Sequence, residues 1–135
     1  MVPRVRWRFA ALAACCVALA GCGGGGGSDE DQVREVVQSF VDAGNNKDPA
    51  AACELLARQQ LRAVRRLGGS CPEVVAGLLE ASKGGTSVTV DEVRIEGGRA
   101  TADVTVKAKG GSGPGRSSSL LLVREDGEWR LASGF

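Results

Sequence analysis

Residues 86–108, TSVTVDEVRIEGGRATADVTVKA, determine the fold class of this 135-residue chain. Apolar and polar side chains alternate on both sides of Gly97-Gly98, which is the pattern of two strands joined by a tight turn. The alternation slips by one position at Asp91-Glu92, and this slip predicts a β-bulge. From Ala100 to Ala108 the apolar and the polar face are both uninterrupted. The stretch therefore predicts an antiparallel hairpin with one buried face.

Two further strands extend this hairpin into a meander. Residues 120–123 are apolar at every position, which predicts a strand covered on both faces. Asp126-Gly127 is a strong hairpin signal and joins that strand to Trp129-Arg130-Leu131. Trp129 and Phe135 are predicted core anchors, whereas an exposed Trp129 would indicate a partner surface.

Three helices are predicted ahead of the four strands. The second runs from Asp48-Pro49 to residue 67, and the third begins at a capping box formed by Ser70 and Glu73. The first begins at Ser28 and has five apolar residues at helical spacing: Val33, Val36, Val37, Phe40 and Val41. The predicted buried face of the third helix comprises Val74, Val75, Leu78 and Leu79. Helices grouped before strands indicate an α+β fold, with the three helices packed on one face of the four-stranded antiparallel meander.

The first 21 residues have the pattern of a signal peptide. Arg4, Arg6 and Arg8 precede an apolar run over residues 9–20, which is too short to span a bilayer. Leu19-Ala20-Gly21-Cys22 resembles the lipobox of bacterial lipoproteins, in which the signal is cut before the cysteine and the cysteine is acylated. That resemblance implies a lipid anchor on Cys22, and the alternative is an ordinary cleavage site that leaves a free thiol.

The predicted domain organisation follows from this leader. Residues 1–21 are the signal peptide, residues 22–28 are the lipidated cysteine with a glycine-rich tether, and residues 29–135 form a single α+β domain. Because acyl chains on one cysteine anchor a protein stably, we expect the domain on the extracytoplasmic face of a bacterial cell membrane.

The remaining cysteines predict one disulfide. Cys15 and Cys16 lie in the signal peptide, which leaves Cys53 and Cys71 in the exported domain. An isolated pair in an oxidising compartment most simply forms a bridge. A metal site is the competing interpretation, but it requires more soft or imidazole ligands than two thiols supply.

Composition excludes several function classes. The chain has no His and no Tyr, so imidazole cannot serve as a general base or metal ligand. Its formal net charge of +1 lacks the basic excess that sequence-independent nucleic-acid binding requires. We therefore expect no metal, no cofactor and no nucleic-acid partner.

The pattern of elements resembles the nuclear-transport-factor-2-like superfamily. The resemblance rests on the amphipathic first helix, the Asn-Asn-Lys-Asp-Pro link at residues 45–49, the paired cysteines and the ending Gly-Glu-Trp-Arg-Leu at residues 127–131. More narrowly, the chain is similar to small lipoproteins of that type in actinobacterial envelopes. The resemblance implies a cone of three helices on a curved sheet, often with a pocket at its open end. Enzymatic members place Asp, His or Tyr in that pocket, and this chain lacks two of the three.

A row of arginines on the second helix is a candidate surface for anionic partners. Arg58, Arg62, Arg65 and Arg66 share one helix face with no acid among them. They suit anionic lipid headgroups or acidic wall polymers beside the anchor. The alternative is a solvated face whose cations complement the helix C-terminus.

No residue is predicted to be catalytic. Asp103 has the phase of the solvent face of its strand, and Asp91 and Glu92 are expected to point to opposite sides. Ser117-Ser118-Ser119 lacks a base that would activate a hydroxyl, so a polar strand start is the simpler interpretation.

Two functions remain. The first is a non-catalytic envelope module that binds a small apolar ligand or another envelope protein; the second is an atypical cone-fold enzyme that uses carboxylates alone. Ligand binding would require a cavity between the helices and the sheet. The small side chains expected opposite Phe40, those of Ala100, Ala102 and Ala108, leave either such a hollow or room for close helix approach.

Overall fold

Local capping signals begin most of the helices where the sequence predicts them. The computed structural model describes residues 27–82 and 84–133. Ser28 caps the first helix together with Asp31, and Asp48 caps the second with Pro49 at its first position. Glu73 accepts hydrogen bonds from the backbone N–H and the hydroxyl of Ser70, at 2.7 and 2.8 Å, as the predicted capping box requires. The helices are α1 (Asp29–Asn45), α2 (Pro49–Glu54), α3 (Arg58–Arg65) and α4 (Cys71–Ala81).

Four antiparallel strands follow in sequence order along the sheet. They are β1 (Thr86–Glu96), β2 (Arg99–Ala108), β3 (Arg116–Glu125) and β4 (Glu128–Ser133). The register of β1 on β2 shifts between Val90 and Glu92, which confirms the predicted bulge. Asp126 and Gly127 both adopt positive φ angles, 52° and 82°, as a two-residue turn between strands demands. The α+β class and the meander are confirmed.

The prediction of one continuous helix from Asp48-Pro49 to residue 67 is wrong at its centre. Leu56 leaves the helix and pairs with Leu131 of β4 as a parallel bridge. The N–H of Leu131 donates to the carbonyl of Leu55 at 2.8 Å, and the N–H of Ala57 donates to the carbonyl of Leu131 at 2.7 Å. Because these bonds replace helical ones, four helices instead of three precede the sheet in the described chain.

The core lies between the helices and the inner face of the sheet. Val33 and Val37 of α1 are buried against the sheet, and Trp129 is 3% exposed, which confirms it as a core anchor. Val75 is buried and Val74 and Leu79 are half-buried, but Leu78 is 62% exposed. The prediction of Leu78 as a core residue is therefore wrong, since α4 contacts the rest of the fold along a narrower stripe than its apolar residues occupy.

A disulfide joins Cys53 of α2 to Cys71 at the start of α4, as predicted. It closes a segment of 18 positions that contains α3 and the turn after it. The bridge adds a covalent link between two helices that also pack side by side. The predicted signal peptide, Cys22 and Phe135 lie outside the described residues. In the part that is described, no helix has the length and apolarity to cross a membrane.

Candidate functional site

A cavity of about 240 Å³ lies inside the cone, between the C-terminal halves of α1 and α4 and the inner face of the sheet. Its walls are apolar side chains, with a short polar rim where the two helices end. The apolar wall comprises Val37, Phe40, Val41, Leu79, Val88, Val104, Val106, Leu120 and Leu131. The polar rim comprises Asn45, Lys47, Ser82, Thr86 and Ser118.

The alanines of β2 do not create this cavity. Ala100 and Ala102 are 1% and 0% exposed and pack in the core, outside the cavity lining. Ala108 is exposed, so its predicted place on the buried face is wrong, because the helix layer does not extend over the end of β2. The small side chains of the two buried alanines serve the close approach of the helix layer, which was the second of the two interpretations. The hollow lies farther along the same face, beside Val104 and Val106, where Ser118 of β3 is too small to fill it.

Hydrogen bonds hold the rim of the cavity in place. Asn45, at the end of α1, donates to the carbonyl of Thr86 at 2.7 Å and accepts from its N–H at 2.8 Å. Lys47 donates to the carbonyls of Leu79 and Ser82, at 2.6 and 3.3 Å, and so closes the C-terminus of α4. These bonds tie the end of α1 to the edge of the sheet and the end of α4 to the link that follows α1. The sequence signal for Lys47 was its place in the link after Asn45-Asn46, but nothing local pointed to the cavity.

The cavity lining offers little for acid–base chemistry. Among the described residues that line it, Lys47 is the ionisable side chain, and no carboxylate faces the interior. The described chain also contains no cluster of three metal-ligating side chains. What the arrangement does supply is a dry wall and a few rim hydrogen-bonding groups, which suits binding of a small apolar molecule.

The carboxylates of the hairpin lie on the opposite, outer face of the sheet. The hydroxyl of Thr105 donates to Asp91 at 2.7 Å, while Arg94 pairs with Glu92 at 3.1 Å and with Asp103 at 2.8 Å. Asp91 and Glu92 therefore share a face, and the expectation that they point to opposite sides is wrong. The bulge at these two residues is the reason, because it places consecutive side chains on the same side.

Asp103 is held as a carboxylate on this outer face. The Ser119 hydroxyl donates to it at 2.6 Å, and this bond, aided by the Arg94 guanidinium, lowers the pKa of Asp103 below its usual value of 3.8. A carboxyl group with a lowered pKa outside the cavity is unsuited to act as a general acid. The solvent-face position predicted for Asp103 agrees with these contacts.

The dependence of stability on acid pH should reveal the lowered pKa of Asp103. A carboxyl group whose pKa is lower in the folded than in the unfolded state stabilises the fold at pH values above its unfolded-state pKa. This stabilisation is lost as the pH falls through the folded-state pKa. We therefore expect the Asp103→Asn variant to lose less stability than the wild type between about pH 5 and about pH 2. Urea unfolding midpoints across that range measure the difference. Ser119→Ala, which removes the main cause of the shift, should flatten the profile in the same direction; unchanged profiles for both variants would contradict the assignment.

The tertiary structure divides the predicted arginine row. Arg58 forms ion pairs with Glu125 and Asp126 of the β3–β4 hairpin. The backbone N–H of Arg58 also donates to both carboxylate oxygens of Glu125, at 3.2 Å, so Glu125 caps an α3 that has no local cap. Arg62, Arg65 and Arg66 are exposed and make no ion pair with any residue of the described chain.

Comparison with known protein families identifies the domain. The model of the family described as low molecular weight antigen MTB12, C-terminal domain, matches residues 28–134. The chain belongs to this family. The match begins at the Ser28 cap and covers every element of the described MTB12-type domain, from α1 to β4. A search of curated protein sequences finds no match to the chain.

Solved structures show that this MTB12-type domain has the nuclear-transport-factor-2-like fold. A protein of that fold and of unknown function from Shewanella oneidensis superposes with a TM-score of 0.60 and 16% identity, over 79% of this chain and 97% of its own. A Streptomyces avermitilis protein provisionally described as a dehydratase of the family superposes with a TM-score of 0.53 and 16% identity, over 77% and 91%. The predicted cone fold is confirmed, and at these identities the likeness concerns the fold alone.

Proposed function

We propose that this protein is a membrane-anchored, extracytoplasmic lipoprotein whose cone binds a small apolar ligand without catalysing a reaction. The observation that carries the proposal is the apolar cavity of about 240 Å³, which lies beside a filled and well-packed core. Apolar cavities of about 150 Å³ stay dry and bind benzene, while drug-sized ligands occupy about 300–1,000 Å³. A ligand with one or two rings, or a short acyl chain, matches the space between these limits.

The rim supports selection of a ligand with one polar end. Ser118, Ser82 and Lys47 stand at the opening, whereas the deeper wall is aliphatic and aromatic. A molecule that buries its apolar part and leaves a polar group at the rim would satisfy both zones. Burial of the apolar part contributes about 25 cal/mol per Å² of surface removed from water.

The enzymatic alternative needs a carboxylate that faces the substrate. Asp91, Glu92 and Asp103 lie on the outer face of the sheet and are bonded to Thr105, Arg94 and Ser119, and no carboxylate is among the described residues that line the cavity. One solved relative is provisionally described as a dehydratase, so the fold can carry a reaction when its pocket supplies the groups. The apolar lining of the present cavity favours binding instead.

Ser118 and Ser117 provide a matched pair of positions for testing this proposal. Ser118 lines the cavity, and its neighbour Ser117 projects from the other face of β3. We expect Ser118→Phe to fill the opening and to abolish ligand binding, while Ser117→Phe leaves binding intact. The measurement is native mass spectrometry of each full chain isolated from cell membranes, which reads both the acyl groups and any bound molecule.

The outcomes of that measurement separate the parts of the proposal. The expected result is a mature chain that begins at an acylated Cys22 and carries a small-molecule adduct, with the adduct missing only in Ser118→Phe. An adduct that persists in Ser118→Phe would contradict the cavity as the binding site. A chain without an adduct in every form would contradict ligand binding, and a Cys22 without acyl groups would contradict the anchor.

A further inference from the structure

The C-terminal end of α3 carries a basic and apolar surface that the rest of the described fold leaves uncovered. Arg62, Arg65 and Arg66 are exposed there, and Leu67, which follows directly, is 73% exposed. We refer to these four residues as the α3 patch. The α3 patch therefore combines three positive charges with one exposed apolar side chain, which is the composition of a surface that contacts an anionic interface.

Carboxylates close in sequence offset only part of the charge of the α3 patch. Residues 58–82 contain two carboxylates, Glu73 and Glu80. Glu73 accepts two hydrogen bonds from Ser70, and these bonds lower its pKa and hold it at the start of α4. Glu80 lies seven residues beyond Glu73 on α4, which corresponds to a helix rise of about 10 Å between these two carboxylates. The α3 patch therefore presents a local positive charge although the whole chain is nearly neutral.

Two ion pairs of the β3–β4 hairpin connect the start of α1, where the chain arrives from Cys22, with the start of α3. Asp29, the first residue of α1, pairs with Arg124 near the tip of the β3–β4 hairpin. Asp126 at that tip pairs with Arg58, the first residue of α3. From there α3 extends eight residues, or about 12 Å. Residues 22–28 span at most about 25 Å when extended, so an anchored Cys22 and the α3 patch can meet one bilayer surface.

We infer that the α3 patch docks on anionic phospholipid headgroups, with Leu67 inserted at the interface. The inference rests on the proposed function in one respect: the lipid anchor would hold the α3 patch near a bilayer. The test below does not require the anchor. Guanidinium groups bind phosphate oxygens well, and each basic residue near an anionic bilayer strengthens binding about fivefold. Three arginines would together contribute roughly a hundredfold.

Docking in this way would also leave the cavity accessible. The opening lies at the C-terminal ends of α1 and α4, beside Asn45 and Ser82. The 17 residues of α1 place it about 25 Å from Asp29, and the 11 residues of α4 place it about 16 Å from Cys71. The opening and the α3 patch therefore lie toward opposite ends of α4, so docking of the α3 patch would leave the opening uncovered.

The test uses the domain without its leader, over residues 28–135. This part contains the whole described core, and the Shewanella oneidensis protein, whose chain matches it over 97% of its own length, folds without a further domain. Flotation with vesicles of phosphatidylglycerol and phosphatidylcholine is compared with flotation with vesicles of phosphatidylcholine alone. We expect binding to the anionic vesicles only.

Matched variants decide whether the α3 patch is responsible. The variant Arg62→Gln, Arg65→Gln, Arg66→Gln should weaken binding to anionic vesicles roughly a hundredfold. The control Arg99→Gln, Lys107→Gln, Arg116→Gln removes the same charge from exposed positions of the sheet and should weaken it far less. Leu67→Ser should weaken binding with the charge unchanged, and thermal unfolding confirms that each variant is folded.

Three results would overturn the inference. The first is a wild-type domain that shows no preference for anionic vesicles. The second is a control variant that loses as much binding as the α3 patch variant, which would assign the effect to net charge. The third is a domain that binds a soluble polyanion but no vesicle, which would make an acidic polymer the partner. None of these results bears on the acyl groups or the ligand adduct read by mass spectrometry.

Discussion

Replacing Leu131 by Ala is expected to lower the free energy of unfolding by about 4 kcal/mol, the largest effect that we expect from a single substitution. Its side chain is 0% exposed, and it contacts the core at the point where β4 meets the segment between α2 and α3. Truncation removes buried methyl groups and enlarges the existing cavity, which Leu131 also lines. Both effects cost free energy because the surrounding sheet and helices relax only in part.

Leu78→Ala is the control for this experiment. It makes the same chemical change at a side chain that is 62% exposed on α4, and we expect a change within about 0.5 kcal/mol. Urea unfolding of both variants, with the disulfide intact, measures the difference. A loss below about 1 kcal/mol for Leu131→Ala would show that β4 is not part of the cooperative core.

Removing the Cys53–Cys71 disulfide is expected to cost about 3 kcal/mol, the second largest effect. The bridge closes 18 positions, and the chain-entropy model attributes its stabilisation to the reduced freedom of that loop in the unfolded chain. This amount is a large share of the stability of a small domain, which is about 5–15 kcal/mol in total. The segment inside the loop contains α3, so the α3 patch depends on the bridge for its position.

The double variant Cys53→Ala, Cys71→Ala isolates the contribution of the bridge. We expect it to unfold at a lower temperature than the wild type and to be insensitive to a reducing agent. The wild type treated with that agent should unfold near the temperature of the double variant. If reduction leaves the wild-type transition unchanged, the bridge contributes little and the loop is held by packing alone.

Much of the fold was predictable because its signals are local. The bulge at Asp91-Glu92 and the Asp126-Gly127 turn are each specified by a few consecutive residues, and both are present. The caps at Ser28 and Ser70 likewise begin their helices where predicted. Each feature depends on side chains and dihedral angles within one turn of the chain, so no distant contact is needed to specify it.

The errors arose where a distant contact overrode a local preference. Residues 55–57 have good helix-forming side chains, yet their backbone pairs with Leu131 because that pairing completes the edge of β4. Leu78 has the spacing of a core residue but faces solvent. The face shared by Asp91 and Glu92 followed from the geometry of the bulge, which the alternation pattern alone did not convey.

The candidate site also combines features that the sequence pattern predicts with features that only the tertiary structure shows. Periodicity assigned Val104 and Val106 to the inner face of the sheet, and both line the cavity. Periodicity did not show that the space beside them stays open, because a cavity depends on how the ends of α1 and α4 meet the sheet. Asn45 and Lys47 define the rim only through bonds to Thr86, Leu79 and Ser82.

The sequence by itself determined the α+β class, the order of its strands, the pairing of Cys53 with Cys71 and the starts of α1, α2 and α4. These follow from residue periodicity, capping and cysteine count, which act over short distances along the chain or by simple elimination. The tertiary structure alone decided that the second predicted helix divides in two, that Glu125 and Asp126 bind Arg58 across 67 and 68 positions, and that the cone is hollow at one end. The physical reason is that burial and hydrogen bonding depend on contacts between residues far apart in the chain. A local sequence pattern does not specify those contacts.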